Sequence, residues 1–334
     1  MSPRRPDTDV FRTLFNPGPN SADYGSRSRS EWLDTDWSRH RRRATVRGAE
    51  VEYVEMGTEH QDAVVFIHGL GANWQVFLEN IPFFARTHHV LALDLPGFGR
   101  SEMPEEKISI SFYAHVVDAV CEQAGIRQAT IVGNSMGGFV GAEVAIRHPD
   151  RAEQLVLVSP AILWQELRRA KPLLSLARVS ELALGRFLVG QRPPRMVVNR
   201  PRLRAAAIGL GGIRYPHLLS REIQQELILT VQRTKGFLPA LLAFGDYPVR
   251  EELPRISCPT LVIWGSDDTM VSVRHADKLV ELIPESRAEI MERTGHVAML
   301  ERPDRFNRLL AEFMAESGDA SDQRALANAR GQDN

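Results

Sequence analysis

The chain has 334 residues, of which 43% are hydrophobic and 25% are charged, and its formal net charge is −1. This balance is typical of a soluble globular protein, and the length suits one large domain with an insertion or two ordinary domains. The small net charge argues against a nucleic-acid partner, and no apolar run reaches the ~18 residues of a membrane-spanning helix.

The N-terminus and the cysteines predict where the protein works. The first residues lack the apolar stretch of a secretory signal peptide, and Cys121 and Cys258 are the only cysteines. Because a chain with so few cysteines is typical of a reducing compartment, we expect a cytoplasmic protein with two buried thiols. A disulfide between them is the alternative.

Residues 1–43 are predicted to form an N-terminal arm, partly flexible, and beyond them short apolar runs alternate with amphipathic segments. Runs rich in Val, Ile and Leu are typical of strands buried on both faces of a parallel sheet. The predicted strands are 44–47, 51–55, 63–67, 89–93, 129–132, 154–158, 260–264 and 287–291, and the predicted helices are 112–124, 136–148, 273–283 and 303–316. This alternation predicts an α/β fold with a mostly parallel sheet and helices on both faces, built from residues 44–160 and 251–316. A disordered tail is expected at 317–334.

The alternation fails at residues 161–250, which predict a helical cap, or lid, inserted above the sheet. Within it, Lys171–Gly190 shows a broad apolar face with a narrow polar stripe. The cap holds 13 Arg and two Lys against four Glu and one Asp, a net charge of +10, so the rest of the chain carries −11. The apolar face could pack on the core or line a pocket. The basic charge could contact an anionic membrane surface weakly, attract a carboxylate substrate, or pair with the acidic remainder.

A candidate nucleophile lies where a predicted strand meets a predicted helix. The segment Gly133-Asn134-Ser135-Met136-Gly137 matches G-x-S-x-G. Such a turn projects the serine hydroxyl above the sheet, with small residues on each side to relieve crowding. The pattern predicts Ser135 as the nucleophile; the structural alternative is a helix N-cap serine between tight-turn glycines.

The loop His68-Gly69-Leu70-Gly71 follows the strand 63–67. In a strand–turn–helix architecture with a nucleophilic serine at the turn, this loop supplies one oxyanion donor and the residue after the nucleophile supplies the other. We therefore predict the backbone N–H groups of Leu70 and Met136 as the oxyanion hole, with His68 supporting the loop. Gly69, Asn134 and Val297 are predicted to contact substrate.

An acid and a histidine follow in the required order, each on a turn after a strand. Asp267 and Asp268 follow one predicted strand, and His296 follows the next. The histidine would act as general base, and the carboxylate would set its tautomer. The pattern alone does not separate Asp267 from Asp268. The histidines show no metal-ligand spacing, so no metal and no cofactor are expected.

Together these motifs resemble the α/β-hydrolase superfamily over about residues 44–316. The likeness is strongest to bacterial family V lipases and esterases and to monoacylglycerol lipase-like α/β-hydrolase-domain proteins, in the segments Leu93–Ser101, Gly133–Gly138, Pro259–Val271 and Gly295–Pro303. In such proteins the acid is usually the third residue after the strand-ending glycine, here Gly265, which selects Asp268. The insertion at 161–250 corresponds to the cap over their pocket.

The resemblance implies hydrolysis of a lipophilic carboxylic ester through an acyl-enzyme, without a cofactor. Meta-cleavage C–C hydrolases share the stretch Gly-Asn-Ser-Met-Gly-Gly. They usually have Gly-Pro-Gly in the oxyanion segment and Trp after the catalytic His, where this chain has Gly71-Ala72-Asn73 and Val297. A C–C hydrolase, a cofactor-free haloperoxidase-like esterase and a non-enzymatic ligand receptor of the hydrolase fold remain alternatives.

Overall fold

The apolar runs form the strands of one eight-stranded sheet in the computed structural model, which describes residues 23–26, 29–161, 197, 199–230, 234–243 and 249–316. The strands are β1 (Arg41–Val46), β2 (Ala49–Met56), β3 (Ala63–Ile67), β4 (His89–Leu93), β5 (Ala129–Asn134), β6 (Ala152–Val158), β7 (Thr260–Gly265) and β8 (Ser286–Met291). Their spatial order is β1-β2-β4-β3-β5-β6-β7-β8. Strand β2 pairs antiparallel with β1 and β4, and every other neighbouring pair is parallel. The predicted α/β fold with a mostly parallel sheet is confirmed.

Side chains of the central strands alternate between two hydrophobic clusters, one on each face of the sheet. In β3, Val65 and Ile67 belong to one cluster and Val64 and Phe66 to the other, and all four are fully buried. Successive strand residues point to opposite faces, so a strand covered on both faces is apolar throughout. For this reason the apolar runs predicted β3 and β4 with their observed bounds.

Helices pack on both faces of this sheet. Those in the described part of the chain are α1 (Ile81–Phe84), α2 (Ile110–Gln123), α3 (Met136–Arg147), α4 (Pro201–Gly209), α5 (Arg221–Thr230), α6 (Phe237–Ala243), α7 (Val249–Glu252), α8 (His275–Leu282), α9 (Ala298–Glu301) and α10 (303–316). Helix α2 begins after Ser109, whose hydroxyl accepts the N–H of Phe112 at 3.0 Å, the hydrogen bond of a serine N-cap. None of these described helices is long and apolar enough to cross a membrane.

The connection between β6 and β7 contains helices α4 to α7 and short turns in its described part. Within the described residues this connection holds no strand. Side chains of α4, α5 and α6 line a pocket above the sheet. The predicted amphipathic helix Lys171–Gly190 lies outside the described residues.

The first two strands differ from the prediction at their ends: β1 ends at Val46 rather than at residue 47, and β2 spans Ala49–Met56 rather than 51–55. Strand β1 begins at Arg41 rather than at Ala44, inside the segment predicted to be an arm. The arginines at its start pair with glutamates across the strand pair; the Arg42 Nε atom lies 3.3 Å from Glu55 Oε2. A charged strand end of this kind carries no apolar signal. Trp32 is buried in the core.

Candidate active site

Ser135 occupies the turn between β5 and α3, with φ 55° and ψ −111°. A positive φ is uncommon for a residue other than glycine and marks the strained turn that exposes a nucleophile. The flanking glycines are required by packing. A Cβ on Gly133 would lie 2.1 Å from the Gly137 carbonyl oxygen, and a Cβ on Gly137 would lie 2.0 Å from the Ile67 carbonyl oxygen.

The loop after β3 passes directly beside Ser135. A Cβ on Gly69 would lie 3.2 Å from Ser135 Cβ. Leu70 lines the same pocket as Ser135. Met136 is the first residue of α3, a position where a backbone N–H has no intrahelical acceptor. Both predicted oxyanion donors therefore belong to backbone that adjoins Ser135, an arrangement suited to a developing negative oxygen.

His68 supports this loop from beneath. Its Nε2 atom accepts the N–H of Leu95 at 3.0 Å, and its Nδ1 atom lies 2.8 Å from the Gly69 carbonyl oxygen. Acceptance at Nε2 places the ring proton on Nδ1. Burial lowers the pKa of His68 to about 4, so the ring is neutral at neutral pH. With both nitrogens bound to backbone, His68 has the contacts of a loop support and not of a base.

Asp268 contacts His296, with the Asp268 Oδ2 atom 2.8 Å from Nδ1 of the imidazole. The same oxygen accepts the indole N–H of Trp264 at 3.1 Å. The other oxygen, Oδ1, accepts the backbone N–H groups of Met270 and Val271 at 2.8 and 2.9 Å. Because all four partners act as donors, the carboxylate fits its ionised form, and Nε2 of His296 is left to accept a proton.

The pKa values of the pair are shifted in opposite directions. Burial raises the pKa of Asp268, but the charge and hydrogen bond of His296 and two backbone N–H groups outweigh it, and the net pKa lies below the usual value. Burial lowers the pKa of His296, but the charge and hydrogen bond of Asp268, followed by the charge of Glu301, outweigh it, and the net pKa is raised. Such a pair stabilises the imidazolium ion.

Asp267 has other partners. Its Oδ2 atom lies 3.3 Å from both Arg214 Nε and the Tyr215 hydroxyl, and its Oδ1 atom accepts the Ser266 hydroxyl at 2.9 Å. Of the two acids that the pattern left open, Asp268 is therefore the one that contacts His296, and Asp267 connects its loop to the inserted segment.

Sequence reasoning missed two contacts that hold the backbone of His296. The carbonyl of Gly212, in the inserted segment, accepts the His296 N–H at 3.0 Å. The side-chain amide of Asn134 donates to the His296 carbonyl at 3.1 Å. Gly212 has φ 91°, and a Cβ there would lie 2.7 Å from His296 Cβ. Nothing in the sequence indicates this role for Gly212, because a contact between distant segments leaves no local pattern.

A pocket of about 210 Å³ joins Ser135 to His296. The three residues predicted to contact substrate, Gly69, Asn134 and Val297, all lie in its wall. Further apolar wall residues are Val76, Ile208, Leu227, Phe237, Leu241 and Met270. The pocket therefore brings the candidate nucleophile Ser135 and the candidate base His296 to a largely apolar surface.

The class of this protein is defined by a serine on the strand-to-helix turn after β5, by an Asp–His pair on the turns after β7 and β8, and by helices inserted above the sheet. Residues 62–303 match the family model described as the alpha/beta hydrolase fold. The chain belongs to this α/β-hydrolase family.

Relatives of the chain carry out different hydrolytic reactions. It is 30% identical to a 2-hydroxy-6-oxononadienedioate/2-hydroxy-6-oxononatrienedioate hydrolase of Comamonas testosteroni over 267 residues, which cover 76% of this chain and 88% of the relative. It is similar to the crystal structure of a bacterial membrane phospholipase A, with 26% identity, a TM-score of 0.64 and 83% and 86% of the two chains covered. It also shares the fold of an esterase from Exiguobacterium antarcticum, with 23% identity, a TM-score of 0.66 and 80% and 97% covered. These relatives indicate a hydrolase and leave open which bond is cleaved.

Proposed function

We propose that the protein is a serine hydrolase that cleaves carboxylic esters through an acyl-enzyme. The observation that carries the proposal is the pocket in which Ser135 and His296 face an apolar wall, with Asp268 bound to the far nitrogen of the imidazole. Ser135, Asp268 and His296 form the proposed catalytic triad.

The geometry supports the following sequence of steps. His296 Nε2 takes the proton of the Ser135 hydroxyl while Oγ attacks the ester carbonyl. The backbone N–H groups of Leu70 and Met136 bind the resulting oxyanion, each donor contributing about 3–4 kcal/mol. His296 then gives its proton to the leaving alcohol, and the acyl-enzyme forms. In the second half His296 removes a proton from water, whose oxygen attacks the acyl carbon. The bond from this carbon to Ser135 Oγ then breaks, His296 returns the proton to Oγ, and the acid leaves.

The composition of the wall favours an uncharged substrate. Among the described lining residues, none is Lys or Arg, and the polar side chains are those of Asn134, Ser135 and His296. Burying a carboxylate without a partner is costly, whereas an apolar acyl chain gains from contact with such a wall. A lipophilic ester therefore suits the described part of the site better than a dicarboxylate.

Hydrolysis of a C–C bond is the second candidate, and the 30% identity to the Comamonas testosteroni hydrolase favours it. The two candidates are separated by measuring kcat/KM for p-nitrophenyl esters from acetate to palmitate, a monoacylglycerol and a 2-hydroxy-6-oxo-dienedioate. We expect a medium-chain ester to be the best substrate. A higher kcat/KM for the dienedioate than for every ester would reject the ester proposal.

In a ligand receptor of the same fold, the serine would also be acylated by an ester, but the acyl-enzyme would be hydrolysed only slowly. Mixing with a p-nitrophenyl ester should therefore give a burst followed by steady turnover if the protein is an esterase. A burst without steady turnover would instead support the receptor.

We also propose that the inserted helices make weak contact with an anionic membrane surface. On α6, Phe237 and Leu241 line the pocket, while Leu238 and Leu242 are 61% and 65% exposed. The segment 161–250 carries a net charge of +10, and each basic residue near an anionic surface contributes about 1 kcal/mol.

Co-sedimentation with phosphatidylserine vesicles tests this contact. We expect binding that weakens with added salt, and weaker binding still for L238S/L242S. Equal binding at low and high salt, or none at either, would exclude it.

A further inference from the structure

The carboxylate of Glu301 is fully buried beneath the turn that carries His296. Its Oε2 atom accepts the N–H of Gly295 at 2.9 Å, and its Oε1 atom accepts the N–H of Val297 at 3.1 Å. These two residues flank His296 in the chain. One side chain thus binds the backbone on both sides of the imidazole-bearing residue.

The same carboxylate binds two segments that are distant in sequence. It accepts the backbone N–H of Arg214, in the inserted segment, at 3.1 Å. It also accepts the hydroxyl of Tyr24, from the N-terminal arm, at 2.5 Å. The Tyr24 oxygen in turn accepts the backbone N–H of Tyr215 at 2.9 Å. Glu301 therefore connects the His296 turn, the insertion and the arm.

The arm segment 23–26 is held at this place by further contacts. Tyr24 is buried, and the Gly25 N–H donates to the Glu301 carbonyl at 2.7 Å. The Arg302 guanidinium lies 5.3 Å from the centre of the Tyr24 ring and pairs with Asp23. These contacts hold the phenol against the carboxylate.

A buried carboxylate is costly, and the proposed reaction steps do not use this one. Burial raises the pKa of Glu301, and the hydrogen bonds from Tyr24, Gly295, Arg214 and Val297 oppose that rise. Because the desolvation of this carboxylate is costly and most of its partners are backbone N–H groups, its clearest effect is to fix the position of the segments that it binds.

We propose that Glu301 and Tyr24 are positioning residues for His296. Glu301 fixes the turn that carries the imidazole, and Tyr24 fixes Glu301. Residues 23–26 of the N-terminal arm are consequently part of the structure on which catalysis depends, although they lie outside the sheet and the pocket wall.

Two variants and two matched controls test the proposal. Y24F removes the phenol oxygen and keeps the ring, and E301Q removes the charge and turns one acceptor into a donor. Y113F is the control for loss of a buried tyrosine hydroxyl, since Tyr113 donates to the Pro96 carbonyl at 3.1 Å. E143Q is the control for a buried glutamate, which in α3 accepts the Ser111 hydroxyl at 2.6 Å.

The kinetic readout depends on the proposed ester hydrolysis. We expect kcat to fall on the order of 10-fold in Y24F, where a hydrogen bond to a charged group is lost, and on the order of 10²-fold in E301Q, where the His296 turn shifts. KM should change less than about twofold in both, because neither side chain lines the pocket. Both controls should retain the wild-type kcat.

NMR of the His296 ring gives a readout that needs no substrate. In E301Q we expect a lower His296 pKa, since a neighbouring negative charge is lost. The other charged groups near the turn stay in place: Asp268 on the imidazole and the ion pairs Asp267–Arg214 and Asp23–Arg302. In both variants the downfield Nδ1 proton signal should broaden or shift. If the two variants match their controls in kcat and in the His296 spectrum, the proposal is wrong, even when thermal stability falls. If the wild type hydrolyses no ester, the proposed function fails, and the NMR comparison still decides the role of Glu301 and Tyr24.

Discussion

Replacing Asp268 by Asn is the change that most directly tests the proposed triad. Asp268 accepts four hydrogen bonds, two at each carboxylate oxygen. An asparagine can keep its carbonyl oxygen on the two backbone N–H groups, but its NH₂ group then faces His296 and Trp264. The indole N–H of Trp264 loses its acceptor at this oxygen. The Nδ1 atom of His296 must become an acceptor, which moves the ring proton to Nε2.

An imidazole protonated at Nε2 cannot accept the proton of Ser135. The expected loss in kcat for D268N is therefore roughly 10⁴-fold, or about 5.4 kcal/mol of transition-state stabilisation. The neighbouring D267N serves as the matched control. Asp267 exposes 29% of its side chain and pairs with Arg214, so its loss should change kcat by less than about fivefold.

The assay is kcat and KM for a p-nitrophenyl ester, with circular dichroism and thermal unfolding to show that each variant is folded. A reversed order of severity would show that Asp267 is the functional acid. A folded D268N enzyme with more than a tenth of the wild-type kcat would refute the reasoning about the tautomer.

Four further predictions follow from the same site and from the cysteines. S135A should lower kcat by about 10⁶-fold with little change in stability, because alanine adds no strain at φ 55°; activity above a tenth of wild type would exclude Ser135 as the nucleophile. His296 must be neutral to act as a base and its pKa is raised, so kcat/KM should rise with pH through a pKa above the usual 6.5. In D268N this rise should occur at lower pH, and a wild-type rise below pH 6.5 would contradict the pairing of His296 with Asp268. Burial raises the pKa of Cys121 to about 12 and of Cys258 to about 11, so both thiols should react slowly in the folded protein. Ellman titration of the denatured, unreduced protein should find two free thiols, and finding none would count against a cytoplasmic location. Octanoate esters should be better substrates than acetate esters, and an acetate ester as the best of the series would argue against a lipophilic pocket.

The sheet was predictable from sequence where burial was complete. Strands β3 and β4 are apolar at every position but one, and they lie in the middle of the sheet. The start of β1 was not predictable, because its arginines satisfy their charge on glutamates of the neighbouring strand. A hydrophobic pattern reports contact with the core, and it gives no signal where a strand is held by backbone hydrogen bonds and ion pairs at an edge.

The site shows a similar division. The motif around Ser135 and the turn at His296 were predictable because their glycines and their places after strands are local features. The pattern could not choose between Asp267 and Asp268, because both are aspartates on the turn after the same strand and the pattern requires only an acid on that turn. The choice is physical: Trp264 and two backbone N–H groups hold Asp268 against the imidazole, while Arg214 and Tyr215 hold Asp267.

The predicted limits of the insertion and of the arm illustrate why local sequence patterns cannot predict the contacts around His296. Residues 161–250 were set apart because their sequence shows no strand pattern, and residues 1–43 because their sequence shows few apolar runs. Yet the Gly212 carbonyl binds the His296 N–H, and Tyr24 binds the glutamate beneath the same turn. Tyr24 and Glu301 are 277 positions apart in sequence, so no window of any useful length contains both. Strand–helix alternation divides the chain by how it builds the sheet, whereas the surroundings of His296 are assembled from all three divisions.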